Sequence, residues 1–270
     1  MMNALWVLVI VPACLYAAIA LYLYLRQHRL VYRPEQTLIA MPSSVALAHE
    51  ELELYAADGV KLHAWFVPSA HASNVVLFLH GNSGNMSHVI DTIKTLHDFQ
   101  FSVLLVDYRG YGQSGGSPSE QGTYADAEAA WLYLTQTRAI PANEIVIFGR
   151  SLGGAIASWL AARHPPRALI IESSFTSMLD LAGAMYPWLP VRWLSKIRYN
   201  SKDNLRDIQC PVLVVHSKDD EMIPFEHGQT LFHAVRGPKH LLEICGDHKN
   251  GYKQTGPSYA KGLGEFLAKI

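Results

Sequence analysis

The chain has 270 residues, half of them hydrophobic and 17% charged, with a formal net charge of −1. That length buries a sizeable core in one large domain or two small ones, and 14 prolines with 19 glycines is ordinary globular composition. Near-neutral charge without a run of Lys and Arg argues against a nucleic-acid partner, and three cysteines do not make a disulfide framework.

The first element is "ALWVLVIVPACLYAAIALYLYL", Ala4 to Leu25, 22 residues without a charge. At about 1.5 Å per helical residue it crosses a hydrocarbon core of about 30 Å. Trp6 lies near one end and Tyr22 and Tyr24 near the other, where interfacial aromatics sit. No basic segment precedes it, and its apolar run exceeds that of a signal peptide, so residues 1–28 read as a retained single-pass membrane anchor. Arg26, Arg29 and Arg33 follow, which by the positive-inside rule places the rest of the chain in the cytoplasm. Residues 29–49, with "RPEQ" and "MPSS", read as a linker.

Residues 50–270 alternate strand and helix patterns. Glu50 to Tyr55 and Lys61 to Val67 flank "AADG", a hairpin turn. Further apolar strands are expected at Val75 to Leu79, Val103 to Val106, Ile145 to Phe148, Ala168 to Ile171, Val212 to Val215 and Leu241 to Ile244. Helices are expected near Ser87 to Phe99, Thr123 to Gln136, Ala155 to Ala162, Phe225 to Val235 and Tyr259 to Lys269. Continuous apolar strands separated by helices imply an α/β fold, a mostly parallel eight-stranded sheet covered on both faces. Phe175 to Asn204, with "MYPWLPVRWL", breaks the alternation, and reads either as a small helical cap insertion over about 175–204 or as an amphipathic piece that completes the core. Cys210 and Cys245 lie in or beside strands and are expected to be small buried hydrophobes, while Cys14 lies in the anchor.

Chemistry concentrates where strands end. "GRSLG" fits G-x-S-x-G, with Ser151 on a sharp turn between a strand and a helix and its hydroxyl exposed. A neutral serine needs a base, and the base needs an orienting acid. "HSKDDEMIP" supplies Asp219, Asp220 and Glu221 after one strand, and "GDHKNG" supplies Asp247 and His248 after the last. All fall on the sheet edge where ligands bind in such folds. His248 is expected to take the Ser151 proton, with Asp220 fixing its tautomer. "LFLHGNSGN" runs a strand into a glycine-rich loop, whose Asn82 N–H, with that of Leu152, is expected to form an oxyanion hole.

In this order and spacing, "HGNSGN", "DYRGYGQSGG", "GRSLGG", "HSKDDEMIP" and "GDHKNG" resemble the alpha/beta-hydrolase superfamily. The resemblance is narrower to its membrane-anchored, depalmitoylase-like branch and bacterial relatives, and extends from "LVYRPE" near Leu30 to the C-terminus. It implies the alpha/beta-hydrolase fold and a cofactor-free serine hydrolase acting on acyl esters or thioesters. In that pattern the acid stands four residues before an "IP" proline, so Pro224 selects Asp220 over Asp219. The family usually continues "HND", and here the residues read "HKN".

Other motifs lead nowhere. "GYGQSG" satisfies G-x-G-x-x-G, but no apolar helix start follows and no acid ends a second strand. No phosphate-binding lysine loop and no close Cys/His metal set occurs among 13 histidines. His80 and His216 end strands and read as structural, and Asp107 with Arg109 is expected to brace the glycine-rich loop. Met178, Leu181, Met185, Trp188 and Trp193 give the cap an apolar character suited to a lipid-like substrate. Two other readings remain: a serine peptidase on small peptides, and a non-catalytic membrane-tethered scaffold.

Overall fold

The computed structural model describes residues 2–70, 72 and 74–270, with side chains from Trp6 onward. Met1, the first residue of the expected anchor, lies outside them.

Eight strands form one sheet: β1 Glu50–Tyr55, β2 Lys61–Val67, β3 Val75–Leu79, β4 Ser102–Val106, β5 Ile145–Arg150, β6 Ala168–Glu172, β7 Val212–Ser217 and β8 Lys239–Ile244. Their spatial order is β1-β2-β4-β3-β5-β6-β7-β8. β2 runs antiparallel to both neighbours, and every other pair is parallel. The central strands are apolar throughout because both faces are covered. Alternate residues serve opposite cores. Leu77, Ile147, Leu169 and Val214 pack with Tyr124, Ala157, Leu160 and Leu231 from one helical layer. Val76, Phe78, Phe148 and Leu213 pack with Ile93, Leu96, Leu263 and Phe266 from the other. Phe78 and Phe148 sit opposite in register, with ring centroids 5.0 Å apart.

The helices are α1 Met2–Val31, α2 Ile90–Asp98, α3 Glu120–Leu132, α4 Leu152–Ala161, α5 Met178–Met185, α6 Val191–Leu194, α7 Ser201–Leu205, α8 Phe225–Ala234, α9 Gly251–Thr255 and α10 Pro257–Leu267. Helix α3 begins three residues ahead of the apolar periodicity because Ser119 caps it, Oγ accepting the Gly122 amide at 3.1 Å. Helices α5 and α6 lie within the segment 175–204 expected as an insertion, and α7 returns the chain to the core with Leu205 fully buried. Cys245 is exposed and Cys210 half-buried, contrary to expectation. Cys245 follows an edge strand, which only β7 covers on one side.

Among the described residues, α1 is the one helix long and apolar enough to cross a membrane, over Trp6–Val31. The segment after it, expected as a linker, is fastened to the domain. Tyr32 is buried, and its hydroxyl lies 2.9 Å from that of Tyr199, which lies 2.6 Å from Thr123 Oγ1. Arg33–Pro34 then pairs in parallel with Ser83–Gly84. Asn85 Nδ2 donates to the Glu35 and Thr37 carbonyls at 3.0 and 2.8 Å. Backbone groups make most of these bonds, so the side chains give little sign of them.

Candidate active site

Ser151 follows β5 with φ 54° and ψ −119°, a conformation that non-glycine residues rarely adopt. Its neighbours explain how the strain is held. A Cβ on Gly149 would lie 2.1 Å from the Gly153 carbonyl oxygen, and one on Gly153 would lie 2.0 Å from that of Leu79. Only glycine permits strand, turn and helix to approach so closely. The Ser151 amide donates to Glu172 O at 2.8 Å, and Ser174 Oγ donates to Ser151 O at 2.8 Å.

Beneath the turn, Arg150 Nε donates to Glu172 Oε1 at 2.5 Å, Tyr259 Oη donates to Glu172 Oε2 at 2.6 Å, and the guanidinium lies 4.3 Å from the Tyr252 ring centroid. Burial of Tyr259, beside the Glu172 carboxylate, holds its phenol well above the usual value, so it stays a neutral donor. The sequence reading passed over this group. Arg150 and Glu172 are register partners across β5 and β6, and that adjacency exists only in the sheet.

The structure brings the three expected side chains into one line. Ser151 Oγ lies 3.0 Å from His248 Nε2, and His248 Nδ1 lies 2.8 Å from Asp220 Oδ2. A carboxylate only accepts, so Nδ1 carries the proton and Nε2 is free to accept from the serine hydroxyl. Asp220 Oδ1 accepts from the Met222 and Ile223 amides at 3.0 and 2.8 Å. Burial pushes the Asp220 carboxyl up, but the His248 bond and backbone donors outweigh it and hold it below its ordinary value.

The flanking acids hold the histidine loop. Asp219 Oδ2 accepts the Gly246 amide at 3.1 Å, and Glu221 Oε2 accepts that of His248 at 3.0 Å. Asp247 Oδ1 accepts the Lys249 and Asn250 amides at 3.0 and 2.7 Å, so "DHKN" closes its own turn. His216 Nε2 donates to Ile223 O at 2.8 Å and stands 3.6 Å from Asp220 Oδ2. Burial pushes its pKa down, and the neutral ring packs behind the carboxylate.

Asn82 and Leu152 line the same cavity as Ser151. A Cβ on Gly81 would touch Ser151 Cβ at 3.5 Å, so the glycine-rich loop lies directly against the serine. Asn82 O accepts from Arg33 N at 2.9 Å and Tyr111 Oη at 2.8 Å, while its Nδ2 donates to Val31 O at 2.8 Å. Leu152 opens α4, where first-turn amides lack intrahelical acceptors.

His80 is structural, with Nδ1 donating to Gly81 O at 2.8 Å. Of the two residues expected to brace the glycine-rich loop, Asp107 does so. Asp107 Oδ1 accepts the Met86 amide at 2.7 Å, whereas Arg109 turns away to pair with Asp126 at 2.9 Å and Asp58 at 2.7 Å. Asp126, buried on α3, is the partner that the sequence reading missed. Among the described residues no group of three or more His, Cys, Asp or Glu is placed to hold a metal ion.

A cavity of about 240 Å³ opens in front of Ser151. Phe175, Met178, Leu181 and Met185 line it from the insertion, and Leu23, Tyr24, Gln27, Leu30 and Val31 line it from α1. Trp188 and Trp193 do not line it, and both are exposed.

The family model described as "alpha/beta hydrolase fold" matches residues 74–200. The alpha/beta hydrolase domain-containing protein WAV2 of Arabidopsis thaliana is 34% identical over 90% of this chain and 88% of its own length. The chain belongs to the alpha/beta-hydrolase family. The lysophosphatidylserine lipase ABHD12 of Danio rerio is 34% identical to this alpha/beta hydrolase over 74% of the chain and 55% of the lipase. Among solved structures, the Pyrococcus furiosus esterase Pf2001 superposes with a TM-score of 0.75 and 20% identity, covering 88% of this chain and 98% of the esterase, which is a likeness of fold.

Proposed function

We propose that this alpha/beta hydrolase is a serine hydrolase that cleaves ester or thioester bonds of acyl, lipid-like substrates at a membrane. The observation that carries the reading is the Ser151–His248–Asp220 line, with bonds of 3.0 and 2.8 Å, ending on a strained serine that faces an apolar cavity. His248 Nε2 takes the Ser151 proton as Oγ attacks the acyl carbonyl carbon. Charge on the tetrahedral oxygen is met by the Asn82 and Leu152 amides. Collapse expels the alcohol or thiol, which leaves with the proton from His248, and an acyl-Ser151 ester remains. Water activated by the same imidazole then releases the acid. Asp220 stabilises the imidazolium in both halves. The similarity to a lysophosphatidylserine lipase supports a lipid-like substrate, the long apolar α1 supports a single-pass membrane location, and Arg26, Arg29 and Arg33 after the apolar run argue for the domain on the cytoplasmic side.

The test is labelling of detergent-solubilised protein by a fluorophosphonate probe. Wild type is expected to label at Ser151, and Ser151→Ala is expected to lose the label. Equal labelling of both proteins overturns Ser151 as the nucleophile, and folded wild type without label overturns the mechanism and returns the scaffold reading.

A further inference from the structure

The cavity in front of Ser151 is walled on one side by the helix read as the membrane anchor. Ala20, Leu23, Tyr24, Gln27 and Val31 are half-buried and recur every three to four residues, so one stripe of α1 faces the hydrolase domain. Leu21, Tyr22 and Leu25, between them, are exposed.

The insertion meets α1 at two heights. Gln27 Oε1 accepts the Lys196 amide at 2.7 Å. Higher up, Tyr16 Oη donates to Trp188 O at 3.1 Å, with the two rings 6.0 Å apart and edge to face. Tyr16 precedes Arg26, the first charge after the apolar run, by ten residues, or about 15 Å of helix. The insertion therefore rises beside the part of α1 whose composition belongs in hydrocarbon. Met185, Trp188 and Trp193 of the insertion are exposed, the last 90%.

Resting on the serine-hydrolase reading above, we propose that the substrate's acyl chain enters from the bilayer, between α1 and the insertion, and that Leu23 and Leu30 of the membrane helix set the chain length accepted. The helix is then part of the substrate site as well as an anchor. The occupant is a membrane-resident long-chain acyl ester or thioester. Its chain lies along the helix among Leu23, Leu30, Leu181 and Met185, and its carbonyl reaches Ser151.

The experiment uses full-length protein in phosphatidylcholine vesicles with two fluorogenic esters, a butyrate and a palmitate. Leu23→Trp and Leu30→Trp fill the slot, and Leu21→Trp, on the exposed face, adds the same bulk outside it. The slot variants are expected to lower the palmitate-to-butyrate rate ratio by about tenfold or more, with Leu21→Trp keeping the wild-type ratio. An unmoved ratio, a parallel loss on both esters, or the same change in Leu21→Trp overturns the proposal while leaving the serine mechanism intact. Failure of wild type on both esters counts against the serine mechanism. The slot is then decided by Ser151→Ala in vesicles carrying a diazirine-tagged palmitoyl ester, photocrosslinked and mapped by mass spectrometry. Adducts on α1 residues 23–31 and on α5 support the slot, and adducts confined elsewhere overturn it.

Discussion

Ser151 is held where its backbone would not go unaided, and Asp220 is charged where burial opposes it. Asp220→Asn keeps the shape but offers His248 Nδ1 an amide that can stabilise the wrong tautomer, so acyl turnover is expected to fall about 10⁴-fold, read as kcat on a short ester. Stability gives a second reading. The folded carboxyl sits below its ordinary value of 3.8. Its charge therefore stabilises the fold above that value, and the contribution disappears as pH falls through the lower folded pKa. The urea midpoint of wild type is expected to exceed that of Asp220→Asn at pH 7, and the gap is expected to close below pH 3.8. A gap that stays constant with pH would show that the loss is one of shape. Ser151, Asp220 and His248 were legible because each stands just past an apolar run, and Pro224 breaks the tie between adjacent aspartates. Arg150 with Glu172, and Arg109 with Asp126, were not, because pairs 22 and 17 residues apart meet only through the fold.

Among the elements, the strand at β5 and the helix at α4 are joined more tightly than any side chain allows. Gly153→Ala drives a methyl into the Leu79 and His80 carbonyl oxygens, 2.0 and 2.6 Å away. It is expected to cost about 3 kcal/mol or more, read by urea unfolding, and to abolish fluorophosphonate labelling. Gly183, inside α5, has open space around its Cβ position, and Gly183→Ala is expected to stabilise by about 0.5–1 kcal/mol. The same chemical change thus has opposite signs in the turn and in the insertion. Strands were read within two residues of their ends, six from apolar runs and two from the hairpin turn between them. The start of α3 moved because Ser119 caps it ahead of the periodic residues. The attachments of the 29–49 segment were not legible because they are mostly backbone bonds and a tyrosine hydroxyl pair, which leave no periodicity behind.

For the whole molecule, α1 and the insertion both carry exposed apolar side chains and touch through Tyr16 and Trp188. Trp188 and Trp193 are exposed there, whereas Trp131 is buried in the core. Lipids brominated in their acyl chains are expected to quench the intrinsic fluorescence of wild type in vesicles. That quenching is expected to shrink in Trp188→Phe with Trp193→Phe and to persist in Trp131→Phe. Quenching indifferent to the first pair would place the insertion outside the bilayer. The attachment of α1 has a further consequence. Val31 O is held by Asn82 Nδ2 and Arg33 N by Asn82 O, within the loop beside the nucleophile. A domain on a flexible leash tumbles over its membrane and samples every approach angle. Here no swivel separates the rod from the chemistry, so the mouth of the enzyme keeps a fixed compass bearing relative to the rod. With the membrane location proposed above, its search for substrate becomes a drift in two dimensions, with the heading already chosen.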